Sequence, residues 1–183
     1  MAVVSVTPEE FTIVLFQADE IAALADKIAT KIGFAADTPI SIRIDEPNLF
    51  QRVRLSSMSP ITLDIEGAAL EDPKRFRQFS QTLAENTLGR LLFQAHDRLK
   101  PEFGEAAEHD KLSNAHACAW DTYSAGRSER LGIDVPRARH LYAFRNRHTF
   151  SDQSDAAFDR LWSATDLTWA DITTASDGAA AGS

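Results

Sequence analysis

The sequence predicts an α+β fold: a three-stranded antiparallel meander packed against two long helices, with additional helices toward the C-terminus. Three observations lead there. Between residues 40 and 66, apolar residues alternate with polar ones at a period of two, the pattern of half-buried strands. On either side, cap and proline signals open long segments whose apolar residues recur every three or four positions, the spacing of one helical face. After residue 100 only shorter amphipathic stretches follow.

Thr7-Pro8-Glu9-Glu10 combines an N-cap residue, a proline at the first helical position and a capping-box glutamate. Phe11, Val14, Ala18, Ile21, Ala25, Ile28 and Ile32 then share a face, and Gly33 ends the run, so residues 8–32 are expected to be helical. The β-branched and aromatic content of Phe11–Phe16 supports an alternative, a strand followed by a shorter helix. Ile40, Ile42 and Ile44, then Val53 and Leu55, then Ile61, Leu63 and Ile65 give three strands. Their connections, Glu46-Pro47-Asn48 and Ser57–Pro60, are too short for a parallel crossover, which is why the strands are read as an antiparallel meander with one wet face.

Asp72-Pro73 opens the second long helix and Lys100-Pro101 closes it. Within it Phe76, Phe79 and Leu83 lie roughly 120° around the axis from Leu88, Leu91, Leu92, Ala95 and Leu99, which predicts a bend or two packing partners. Further helices are expected over 111–123, 136–148 and 155–164, with a turn or weak helix at 124–130 and a short helical piece at 166–172. Residues 1–175 are read as one domain. Residues 176–183, with little to bury, are read as a disordered tail.

The 183 residues include 27 acidic and 19 basic side chains, a net charge of −8, which disfavours a chain that wraps nucleic acid over its whole surface. A single cysteine, Cys118, rules out an intrachain disulfide framework and a Cys₄ or Cys₂His₂ zinc set. The N-terminal stretch lacks a cationic segment ahead of its short apolar run, so a cytoplasmic, membrane-free protein is expected. No Gly-x-Ser-x-Gly, P-loop, Gly-x-Gly-x-x-Gly or His-Glu-x-x-His motif occurs, and no cofactor is expected.

The charge is unevenly spread. Residues 127–148 carry a net +4, flanked by nets of −4 over 101–126 and −5 over 149–183. On a helix over 136–148, Arg137, His140, Phe144, Arg147 and His148 fall within roughly a 100° arc, interleaving cations with an aromatic ring. With Arg139 and Arg145 they form a candidate binding segment, because guanidinium forks match carboxylates and phosphates and an aromatic face accepts a flat ligand. The competing reading is that these arginines pair with the flanking acidic segments and orient the C-terminal helices.

A non-enzymatic binding or scaffold protein is therefore expected, self-associating or engaging an acidic protein partner or phosphate-bearing ligand through residues 127–148. The rival class is a metal-dependent or Cys/His hydrolase assembled from His109, His116, Cys118 and a distant histidine. On a helix His109 and His116 would stand roughly 10 Å apart along the axis, and His116 and Cys118 would point apart, so only a long-range partner could complete such a site.

Overall fold

The computed structural model describes residues 2–48 and 50–181. Among them the chain is a mixed α+β structure with six α-helices and one open four-stranded sheet. It divides into two compact units, Met1–His96 and Asp97–Ser183. No helix among the described residues is long and apolar enough to cross a membrane.

The first unit holds the sheet. Strand β1 (Val3–Thr7) leads through helix α1 (Ala18–Ile32) to β2 (Pro39–Asp45), followed by β3 (Val53–Met58) and β4 (Ile61–Glu66). The sheet order is β1-β2-β4-β3, and only the β3/β4 pair is antiparallel. The expected antiparallel meander is thus corrected. Strands β2, β3 and β4 exist, but β4 returns beside β2 in parallel and pushes β3 to the sheet edge. The crossover that short loops seemed to forbid is made by β3 itself, which forms part of the connection. A fourth strand, β1, adds a second parallel pair.

The alternation places Ile40, Ile42, Ile44, Leu55, Ile61, Leu63 and Ile65 in the core, each nearly or fully buried. At about 2 kcal/mol per such side chain, this face supplies a large share of the unit's drive to collapse. Helix α1 packs beside β1 and buries Ile21, Leu24, Ala25, Ile28 and Ala29. Gly33 closes it in the left-handed region at φ 104°. On the other face of the sheet, Asp64 takes Arg43 from β2 (2.8 Å) and Arg54 from β3 (2.9 Å), a cross-strand ionic ladder in water.

Residues 8–17 are not part of α1; the strand-then-helix alternative is closer. Val14 and Phe16 point inward while Ile13 and Leu15 are exposed, so period two wins over the helical reading. One Glu46 carboxylate oxygen accepts from the backbone N–H groups of Thr12, Ile13 and Val14 at 2.9, 2.7 and 3.3 Å. Burial pushes that carboxyl up, but the three amides together outweigh it and hold it below the usual glutamate range.

Helix α2 (Gln81–Leu99) begins eight residues later than expected after Pro73. Residues 72–80 form a loop closed at its base by Asp72 N–H to Gln78 O and Ser80 N–H to Leu70 O, both 2.8 Å. The apparent twist of the apolar stripe disappears with this correction, since Phe76 and Phe79 do not lie on the helix. Leu88, Leu91, Leu92 and Ala95 remain as its buried stripe.

The second unit is helical. Helix α3 (Asn114–Arg130) touches α4 (Arg137–Arg147), α5 (Asp152–Ser163) and α6 (Trp169–Ala180). It absorbs the stretch 124–130, so that of the two expectations there, a turn or a weak helix, the helix holds. Ser124, Ala125, Gly126 and Ser128 are buried there, and their small side chains let a neighbouring helix approach, so packing overrides weak helix propensity. Trp120, Tyr123, Phe144 and Phe158 fill the core.

The disordered tail that composition predicts over 176–183 is corrected for its first five residues. Residues 176–180 are instead the last turns of α6, with Ser176 and Ala179 buried; Gly182 and Ser183 lie outside the described residues. Helix α6 starts with a reciprocal capping box between Thr168 and Asp171.

Candidate functional site

The basic segment occupies the end of α3, the following turn and all of α4, and its six arginines meet different fates. Arg127 forms a two-pronged pair with Asp97, Nη1 to Oδ1 at 2.7 Å and Nη2 to Oδ2 at 2.6 Å, with both side chains buried. Asp97 also accepts from Trp120 Nε1 at 2.9 Å, and the guanidinium lies 3.7 Å from the Tyr123 ring centre. Arg130 donates to the carbonyls of Trp162 and Ala164, capping the C-terminal end of α5. Arg137 pairs with Asp159 and lies over the Phe158 and Trp162 rings. Arg145 pairs with Asp155 through both Nε and Nη2.

The arc that sequence spacing proposed as a ligand face turns mostly inward. Phe144 is fully buried, His148 stacks on it at 3.9 Å between ring centres, and His140 sits 5.7 Å from the Trp162 ring. The arc is amphipathic as expected, but its aromatic ring is core rather than a platform.

What remains outside is the opposite side of α4. Arg139, Tyr142 and Asn146 fall there, Arg147 lies at the outer edge of the arc, and all four are exposed. Among the described residues the Arg139 and Arg147 guanidinium groups take part in no ion pair or hydrogen bond. Tyr142 is 62% exposed and packs edge to face with Phe150, 66% exposed, at 6.2 Å. The Asn146 amide donates to the Tyr142 carbonyl at 2.8 Å. Sequence reasoning missed Tyr142 and Phe150, although a helical projection centred on Arg139 would have found Tyr142.

Two of the residues weighed for a hydrolase, His116 and a distant histidine, His148, are brought to the same helix. His116 Nε2 meets Asp177 Oδ1 at 2.8 Å, and His148 Nε2 meets Ser176 Oγ at 2.8 Å. The His148 Nδ1–H donates to the Phe144 carbonyl at 2.9 Å, which leaves Nε2 as acceptor for the serine hydroxyl. Ser176 is fully buried, so its hydroxyl is no exposed nucleophile; the pair ties α4 to α6. His109 lies in a short 3₁₀ turn, and Cys118 is half-buried. Among the described residues no group of three or more His, Cys, Asp or Glu side chains is arranged to hold a metal ion.

Burial pushes the His148 imidazole below its ordinary value, helped by nearby His116 and opposed by the Phe144 carbonyl and Asp177. A histidine depressed in the fold binds fewer protons there than in the unfolded chain. Its stabilising contribution is complete above about pH 6.5, the unfolded value, and is lost as the pH falls through the folded one. In a His116→Gln background, acidification from about pH 7.5 to about 5.5 is expected to lower the melting temperature, and His148→Gln to flatten that slope. An unchanged slope would show that His148 does not couple the helices to pH.

Compared with known proteins, the chain matches no family model, no curated protein and no solved structure.

Proposed function

We propose that the chain is a non-enzymatic binding module whose helix α4 docks an acidic protein partner through its outward face. The observation that carries this reading is the division of the arginines: Arg127, Arg130, Arg137 and Arg145 are held by their own unit, whereas among the described residues the Arg139 and Arg147 side chains are in no ion pair, and the same helix carries Tyr142, packed on the exposed Phe150. Arginine with tyrosine or phenylalanine is the composition of interface anchors. Tyr142 and Phe150 already brace each other, so little side-chain freedom is lost on docking.

Arg139 and Arg147 are eight residues apart, about 12 Å along the helix axis, too far to close on one phosphate group. Carboxylates spaced along a protein surface fit that separation, and Tyr142, which lies between the two arginines in the chain and packs on Phe150, meets an apolar side chain. Arg137, His140, Phe144, Arg145 and His148 support this face from within.

The test is fluorescence anisotropy with a labelled Glu/Asp-rich peptide carrying a central leucine, competed by inorganic phosphate. Arg139→Glu with Arg147→Glu is expected to weaken binding by at least tenfold, more steeply at low salt, without moving the melting temperature. Arg137→Ala with Arg145→Ala should do the reverse, lowering the melting temperature slightly and leaving affinity nearly intact. Binding that survives the charge reversal, or that millimolar phosphate abolishes, would overturn the acidic-protein reading.

A further inference from the structure

A second exposed cationic and apolar surface lies in the first unit, on the 72–80 loop. The base of this loop is closed by the two backbone bonds between Asp72 and Gln78 and between Leu70 and Ser80. Inside it, Arg75 N–H donates to Asp72 O and Gln78 N–H to Arg75 O, each at 3.0 Å. The two neighbouring carboxylates serve the backbone: Asp72 Oδ1 accepts from Lys74 N–H at 2.9 Å and Glu71 Oε2 from Arg77 N–H at 3.2 Å. Arg77 sits in the left-handed region at φ 62°, where glycine or asparagine is the unstrained choice. This built turn holds Lys74, Arg75, Phe76 and Arg77 outward, all exposed, and none of the three cations is in an ion pair among the described residues.

Phe76 is 74% exposed with Arg77 over its ring at 4.9 Å. Beside it runs the extended segment 11–16, joined by Leu15 N–H to Arg77 O at 2.8 Å. That segment sends Ile13 and Leu15 to the outside, Leu15 at 72% exposure. One side of the unit therefore presents a projecting phenylalanine and two aliphatic side chains fringed by three unpaired cations.

We propose that this loop is a peripheral docking site for an anionic phospholipid surface. Aromatic and aliphatic side chains standing clear of the protein enter the interfacial layer, while lysine and arginine beside them meet lipid phosphates and carboxylates. Stacking on nucleic-acid bases would use Phe76 but leaves Ile13 and Leu15 without a role. The complementarity is of charge as well as apolarity: the carboxylates nearest the loop are engaged by its own backbone, so the cations face outward. The site is independent of the α4 face and belongs to the other unit.

Co-sedimentation of the full chain with phosphatidylcholine vesicles, with and without phosphatidylserine, tests the proposal. Binding is expected only with phosphatidylserine and should weaken as salt is raised. Each cation removed should cost about fivefold in partition, so Lys74→Ala with Arg75→Ala should lose about 25-fold. Phe76→Ser with Leu15→Ser should lose binding while keeping the melting temperature, since both side chains already lie in water. Equal sedimentation with neutral vesicles, no binding at low salt, or loss-free behaviour of the cation variant would overturn it, as would tighter binding of the same loop to a single-stranded oligonucleotide. None of these variants touches Arg139 or Arg147, so failure here leaves the reading of α4 standing.

Discussion

Replacing Gly126 by alanine is expected to destabilise the second unit by about 3 kcal/mol, the upper end of overpacking costs, and to lower its melting temperature by roughly 12–24 °C. A methyl group at this position would stand 2.0 Å from the Trp162 carbonyl oxygen and 2.8 Å from its carbonyl carbon. Both are backbone atoms near the end of α5, so no rotamer change relieves the clash and the two helices must move apart. Separation would also strain the neighbouring contacts of α5, where Arg130 donates to the Trp162 carbonyl and Trp162 Nε1 donates to Glu129 Oε2 at 2.8 Å. Thermal melting with near-ultraviolet circular dichroism checks this; a variant within 1 kcal/mol of the parent would mean that α3 and α5 do not lie this close. Gly178→Ala is the control, because among the described residues no atom outside its own stretch of helix backbone lies within 4 Å of the added carbon.

Truncation of Asp97 to alanine should cost about 3–5 kcal/mol, the usual penalty for stranding one half of a buried ion pair. Asp97 and Arg127 have side-chain exposures of 2% and 8%. Removing the carboxylate leaves a guanidinium without its counter-charge and the Trp120 N–H without its acceptor. The net worth of the pair is a separate matter, since desolvation of two ions offsets most of their attraction. Asp97→Leu combined with Arg127→Met should therefore lose much less than the two single losses added together, and denaturant unfolding of the four-member cycle measures the difference. Simple additivity would show that the pair acts only by filling space.

The same pair shows why the basic segment was only half legible. Counting charges located the island correctly, but not the destination of each guanidinium. Arg127 and Asp97 are 30 residues apart, Arg137 and Asp159 are 22, and Arg130 meets carbonyls at 162 and 164. Arg139 differs from Arg137 by two residues and thus by most of a half-turn, which sends one into solvent and the other against the Trp162 ring. Once α5 is known to lie against α4, the sorting follows from helical geometry; without it, all six arginines look alike.

Local elements behaved similarly. The alternation at 40–66 was read correctly because side-chain period is a property of consecutive residues. The order of those strands was not, because β4 chooses between β2 and β3 on both sides and pairs with each. Pro8 and Pro73 both carried helix-start signals, yet each precedes a non-helical stretch. Residues 12–14 give their N–H groups to Glu46, more than thirty positions away, and residues 70–80 close on themselves as a loop. Ser176 and Asp177, expected in a tail with nothing to bury, are held by His148 and His116 from 28 and 61 residues away.

By itself the sequence determined the class of fold, the core faces of its strands and most of its helices, the placement of excess positive charge, and the lack of familiar catalytic motifs. Each of these depends on neighbours within a few positions, where backbone geometry and burial period act directly. Only the tertiary structure decided strand order, the close crossing at Gly126, and which arginine side chains are in no ion pair among the described residues. Those depend on long-range pairings whose free energy comes from groups that meet after the chain has folded, so no local pattern encodes them.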